Sequence, residues 1–460
     1  MTAVPAAEQQ QQQHHHHQPA RGVTGDDTSS SAELERASAT AVHVQQAPSD
    51  EKDKIARILS ACRDRDLEAL CELACSEKGL VDDEVRRTAW PILLGVHSGN
   101  KQVAANRNWH DLSRHRDEDQ VRLDVNRSFV YYPENESEKQ MDERKQELSA
   151  VITAVLRQHP MLCYFQGYHD IVQVLLLVLG ADATGPAVAR LSLLRIRDFM
   201  LPTLSGAESH LHLLPAILYA ADPDLYRHLS NAYQPAPFFA LAATLTLYAH
   251  DIEGYGDIVR LFDYLLASGA VMPVYLFATI VMTRKKELLE IDHDEPEMLH
   301  SILSKLPKPL ELENLIHGTR TLFGRYPPER LPNGAWRRVS SNSVLKTTPN
   351  PQALSMQSLR EGEQLFEKHA TEIRRYDALV SARKRIGALA YRYRRPARWT
   401  GAAVLIAVLA LCMRGDSAGI VFRSLGRVHN TAWGLFKPLA PSSAQNLLRT
   451  YIRWAGHVVE

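Results

Sequence analysis

Residues 137–179 read SEKQMDERKQELSAVITAVLRQHPMLCYFQGYHDIVQVLLLVL, and their pattern decides the fold. Ser137 followed three residues later by Gln140 is a capping-box pattern, in which each side chain satisfies the other residue's backbone N–H. Beyond it Leu148, Val151, Ile152, Val155 and Leu156 recur at helical spacing and give one buried stripe. Pro160 closes that helix, because the residue before a proline avoids the helical region. A short break, 161–167, leads into 171–179, which is apolar nearly all round and reads as a central helix buried on every side.

Working outward, helical patterns also cover 185–199, 210–231, 238–250, 257–266 and 273–289. No sustained alternation is joined to hairpin dipeptides, so strand signals are few. The expectation is an all-α, multi-helix domain over 52–335. Residues 1–51, with Gln9 to Gln13 and His14 to His17, bury too little apolar surface to offset their ordering entropy and are expected to be a disordered leader. They hold no apolar run that would make a cleavable signal peptide. Residues 336–365 are rich in Ser, Asn, Pro and Gln and read as a flexible linker. A charged helical stretch follows, and 336–398 together form linker and basic helix.

The run 399–413, WTGAAVLIAVLALCM, is uncharged and mostly apolar. Its fifteen residues would rise about 22 Å as a helix, against a hydrocarbon core of about 30 Å. Seven basic residues between 383 and 398, and Trp399 at the edge, fit a cytosolic, positive-inside flank. We expect a membrane-anchor helix there, followed by a tail over 414–460.

Charge is balanced, 53 basic against 53 acidic residues, so no whole-chain field points to nucleic acid. Five scattered cysteines without a CxxC pair make neither a disulfide framework nor a zinc site, and suggest a reduced, cytosol-facing chain. Cys71 and Cys75, one helical turn apart, read as two small apolar residues on one face. Asp292, His293, Asp294 and Glu295 have ligand-like side chains, but crowded in sequence they read as an acidic loop.

Three short stretches carry the candidate chemistry. In 79–95, GLVDDEVRRTAWPILLG, Val85, Ala89, Trp90, Leu93 and Leu94 share a helical face, with Arg86 and Arg87 facing elsewhere. In 119–128, DQVRLDVNRS, Asp124 and Arg127 are three apart, so a local ion pair can hold the arginine in one pose. In 164–170, YFQGYHD, a glutamine is followed by a glycine that lets the backbone turn between two apolar helices, in a position to face a partner.

Together these stretches resemble the TBC-domain family of Rab GTPase-activating proteins. Arg86, Trp90 and Gly95 match its R-x-x-x-W-x-x-L-L-G helix, Leu123 to Arg127 its I-x-x-D-x-x-R motif, and Tyr164 to Gly167 its Y-x-Q-G motif. Arg260, Phe262, Asp263 and Gly269 are similar to its later R-x-W-D motif, with Phe262 where tryptophan stands. The likeness spans about 60–330 and is greatest to the ER-anchored branch, through 161–172, 197–203, YPPERL at 326–331 and the single apolar segment near the C-terminus. Leu247 and Tyr248 stand where many members carry other aromatics.

The resemblance implies an activator rather than an enzyme in its own right. Arg127 would be an arginine finger steadied by Asp124, and Gln166 would position the attacking water. Tyr164, Gly167 and Tyr168 would shape a Rab-facing loop, while Arg86, Trp90, Gly95, Arg260 and Asp263 would be structural. It implies no metal or cofactor in the chain itself, since GTP and Mg²⁺ arrive with a GTP-bound Rab. It also implies the ER membrane or early secretory pathway, with the catalytic domain facing the cytosol. Other classes remain: a Rab-binding scaffold without catalysis, a membrane-tethered helical adaptor, and a metal-dependent hydrolase at the 292–295 cluster.

Overall fold

The capping box forms as its spacing predicts. Ser137 N donates to Gln140 Oε1 at 3.0 Å, and the Gln140 N–H returns to Ser137 Oγ at 3.4 Å. In the computed structural model, which describes residues 49–96, 106–133, 136–233 and 236–413, this box starts one of a long series of helices. Among the described residues no strand occurs.

The first helices are α1 (Ser49–Asp64), α2 (Leu67–Cys75) and α3 (Asp83–Leu93). Asp66 and Asp82 cap α2 and α3 by accepting from the N–H groups of Ala69 and Val85, at 3.0 and 2.9 Å. Next come α4 (Glu118–Val125), α5 (Glu138–Gln158), α6 (Tyr168–Leu179) and α7 (Ala181–Leu194). Ten of the twelve residues of α6 are buried, which fits its lack of a polar face. It packs against α3, α4, α5 and α7, and is the central helix that 171–179 predicts.

The pattern over 210–231 is not one helix. It divides into α8 (Ser205–Leu211), α9 (Leu213–Ala221) and α10 (Pro223–His228). The last break falls at Asp222, whose carboxylate caps Leu225 N at 3.0 Å, with Pro223 at the first helical position. Residues 238–250 also differ from expectation. The helix α11 (Leu241–Leu245) stops early, and Leu247 and Tyr248 take left-handed φ values of 51° and 67°. Such backbone costs about 1–2 kcal/mol per residue. Burial of both side chains offsets it, together with the Tyr248 hydroxyl donating to Pro273 O at 2.7 Å.

The series continues with α12 (Tyr255–Ala267), α13 (Met272–Thr283), α14 (Lys285–Leu289), α15 (Pro296–Leu303) and α16 (Leu312–Arg325). Helix α13 is covered by α9, α11 and α16, and α12 by α2 and α3.

The linker expected over 336–365 is folded instead. It carries α17 (Ala335–Arg338), α18 (Val344–Thr347), α19 (Pro351–Met356) and the start of α20 (Leu359–Met413). Val344, Leu345, Leu354 and Phe366 are core residues. The fully buried carboxylate of Asp198 holds this segment, accepting from Ser343 Oγ and, at 3.2 Å, from Val344 N. Beside it, Arg197 donates to Asn342 O at 2.6 Å. The compact unit therefore runs to Ile373 rather than ending near residue 335.

The run 399–413 is helical, as the end of α20. Among the described residues, however, no helix is long and apolar enough to cross a membrane, so a spanning anchor at 399–413 is not supported. Most of the leader (1–48) and the tail (414–460) lie outside the described residues.

Candidate functional site

Two loops meet beside the N-terminus of α6. The first, between α5 and α6, is pinned from the start of α4. Asp117 Oδ2 accepts from Tyr164 N at 2.9 Å. Arg116 donates to the carbonyls of Pro160, Met161 and Leu162 at 3.3, 3.4 and 3.0 Å. Arg157 on α5 closes the staple with two bonds to Glu118, 2.7 and 2.9 Å. The loop thus presents an exposed Gln166 from a fixed backbone. Gly167 has φ 98°, which glycine adopts without steric cost.

The second loop leaves the C-terminal end of α4. Asp124 is 2% exposed and accepts from three sides. Gln120 Nε2 and Arg127 Nη2 reach Oδ1 at 2.9 and 3.1 Å, and the Tyr164 hydroxyl reaches Oδ2 at 3.0 Å. Arg127 itself is 71% exposed at its side chain, so the predicted ion pair ties its base while its charge points to solvent. The buried carboxylate takes hydrogen bonds from both loops and couples them. Burial first, and then Asp124, push the Tyr164 hydroxyl well above the usual tyrosine range, so it keeps its proton and donates.

Arg127 and Gln166 line one groove of about 530 Å³. Asp124, Gly167, His169, Asp170 and Gln173 line it too, and Phe238, Leu241 and Leu245 form an apolar wall. An exposed cation and an exposed amide in one concave site suit an oxyanion-rich group brought by another molecule.

The structure separates the other predicted residues from the groove. Tyr168 is fully buried, with its hydroxyl 2.6 Å from Ser192 Oγ, so it supports the loop from below and does not face a partner. Arg86, expected to face away from the core, is buried. Its guanidinium grips Asp263 through Nε at 3.1 Å and Nη2 at 3.0 Å. Trp90 Nε1 and Leu80 N complete that carboxylate's set at 2.8 and 2.9 Å, and Phe262 packs 5.9 Å from the Trp90 ring. Arg260 binds Glu313 twice and the carbonyls of Ala74 and Ser76. Gly95, at φ 67°, lets Arg190 approach the end of α3.

Sequence reasoning missed Gln173 and the groove wall at 246–250, where Thr246, Ala249 and His250 line the site. Gln173 Oε1 accepts from Phe129 N at 3.0 Å, where Phe129 has φ 62°, and so fixes the loop just after Arg127. The available signal was a lone amide on an otherwise apolar helix. Thr246 against Gly167 and His250 against Asp170 left no local sign in the sequence.

Away from the groove, Cys71 and Cys75 are unpaired and half-buried against the core, and burial pushes the Cys71 thiol up to about 12. His293 stands between the Asp292 and Asp294 carboxylates, 3.0 and 3.2 Å away, on an exposed loop.

Known proteins resemble this chain over most of its helical domain. The model of the Rab-GTPase-TBC domain matches residues 83–289. The chain is 37% identical to TBC1 domain family member 20 of Bos taurus over 299 residues, covering 65% of this chain and 73% of that one. The human protein of the same name is 36% identical over the same shares. GTPase-activating protein gyp10 of Schizosaccharomyces pombe is 33% identical, covering 62% of this chain and 76% of that one.

Proposed function

The chain belongs to the TBC-domain family of Rab GTPase-activating proteins, and on that premise we propose that Arg127 and Gln166 are the two side chains it lends to its partner GTPase. A small GTPase hydrolyses GTP slowly because charge builds on the phosphoryl oxygens and the attacking water is poorly held. Arg127, permanently charged and planar, would bridge those oxygens. Gln166 would accept from the water through its carbonyl and donate to phosphate through its amide. The observation that carries this reading is that both side chains are exposed in one groove while their supports, Asp124 and Tyr164, are buried or half-buried and joined.

GTP and Mg²⁺ would come with the partner, so the chain itself needs only to hold the two side chains in place. The likeness at 197–203 and 326–331 to the ER-anchored branch supports a Rab of early secretory traffic as substrate.

The test is single-turnover GTP hydrolysis by a panel of purified Rabs with residues 49–373. Arg127→Ala should lower the stimulated rate by about 10³ to 10⁵-fold, the usual worth of an arginine finger. Gln166→Ala should also abolish most stimulation, while binding of the GTP-loaded partner changes far less. Retention of most activity in either variant would overturn the two-finger mechanism. A folded wild type that stimulates no Rab would favour the non-catalytic scaffold.

A further inference from the structure

The first turn of α6 joins the two loops to a third element. Asp170 N donates to Gly167 O at 3.1 Å, so Asp170 belongs to the turn that carries Gln166. Its Oδ2 lies 3.0 Å from His250 Nδ1, and its Oδ1 lies 3.2 Å from His169 Nε2. His169 Nδ1 in turn is 2.9 Å from the Tyr164 hydroxyl, which donates to Asp124, the carboxylate that holds Arg127. The sequence of contacts thus runs from one finger, beneath the groove, to the rim at His250.

Proton positions along it follow from donor counting. Tyr164 has one O–H, already given to Asp124, so His169 Nδ1 must carry a hydrogen and donate to the tyrosine oxygen. A neutral His169 then turns a bare Nε2 toward Asp170, two acceptors facing each other. Among the described side chains, His250 is then the hydrogen-bond donor to Asp170, 3.0 Å from its Oδ2. Other charged or titratable groups around this pair are Asp251 on the same segment, Asp124 and Arg127 beyond His169, and Tyr132, whose hydroxyl reaches Ala249 O at 3.3 Å.

We propose that His250 and Asp170 are positioning residues for the GTPase-activating reaction, latching the 246–250 wall to the turn that presents Gln166. The proposal rests on the two-finger reading above. Thr246, whose methyl occupies the space a Cβ on Gly167 would need, supplies the apolar half of the same latch. His250 is charged more readily than an ordinary histidine because Asp170 accepts its hydrogen bond, and burial opposes this only in part. The latch is therefore strongest below the ordinary histidine value of 6.5 and weakens as pH rises through the raised one.

Single-turnover hydrolysis by the responsive Rab, with the full chain, tests it. His250→Ala should lower the maximal stimulated rate about tenfold and shift the half-saturating concentration less than about twofold. The side chain is 63% exposed, so the variant should melt with the wild type. His250→Asn places an amide donor where Nδ1 stands but cannot titrate. It should restore most of the rate at neutral pH, and the wild-type to His250→Asn rate ratio should fall from pH 6 to pH 8.5. A full rate in His250→Ala, or an effect confined to half-saturation, would overturn the positioning role. If Arg127→Ala is inactive in that assay the finger reading stands without it; if Arg127→Ala is active, both fall.

Discussion

At Gly167 the backbone φ of 98° and a Thr246 Cγ2 only 2.5 Å from any added Cβ act on one residue. Alanine there meets both left-handed strain, about 1–2 kcal/mol, and a clash beside Gln166. Gly167→Ala should therefore cut stimulated hydrolysis by at least about tenfold. Adding Thr246→Ser, which removes the methyl, should recover part of that rate but not the backbone strain. If the double variant is no better than the single, the clash is not what displaces the glutamine. Asp263 fails differently. Its carboxylate is fully buried and answers Arg86, Trp90 and the Leu80 amide, so Asp263→Ala leaves the buried Arg86 guanidinium with only the partly exposed Asp83, 3.0 Å from Nη1, as its counter-charge. Breaking a buried pair in this way costs about 3–5 kcal/mol. Urea melts should show that loss, with activity falling only as the folded fraction falls, whereas Arg127→Ala should melt like the wild type.

Among the elements, α6 organises the site. Its N-terminal turn presents Gln166, His169 and Asp170 reach the neighbouring loops, and Gln173 fixes the backbone after Arg127. Much of this was legible in the sequence. The apolar period of 171–179 marked a buried helix, Ser137 and Gln140 marked the start of α5, and the spacing of Asp124 to Arg127 gave the ion pair. What was not legible rests on long-range contacts that local pattern does not encode. Arg86 looked solvent-facing because its buried partner, Asp263, lies 177 residues away. The helix pattern over 238–250 hid the turn at Leu247 and Tyr248, because left-handed backbone at non-glycine residues is stabilised there by burial and by a bond to Pro273. A polar composition made 336–365 look like a linker, although the core takes up Val339, Val344, Leu345 and Leu354 from it.

At the scale of the whole unit, that last segment decides where the activating domain ends. Its anchor is Asp198, whose carboxylate is fully buried and hydrogen-bonded to His210 Nε2 at 2.9 Å, to Ser343 and to Val344 N. Burial pushes this carboxyl up, but its hydrogen bonding with His210 and His369 and the charge of Arg197 outweigh that and hold it far below the usual carboxylate range. A chain stopped after residue 335 loses the Ser343 and Val344 donors, and also uncovers the surface under Val344, Leu345, Leu354 and Phe366. Each such side chain contributes about 1.5–3 kcal/mol when fully buried, so their removal together approaches the whole stability of an ordinary domain. Arg190 loses partners as well, since it donates to Leu354 O at 2.8 Å and Gln357 O at 3.1 Å while holding the end of α3. Residues 49–373 should therefore unfold cooperatively and stimulate hydrolysis, and residues 49–335 should melt far lower or aggregate, although both contain Arg127 and Gln166. Equal melting temperatures for the two would mean that the 336–373 segment only rests on the domain. A loss of stability without that segment would make it part of the machinery that holds the groove in shape.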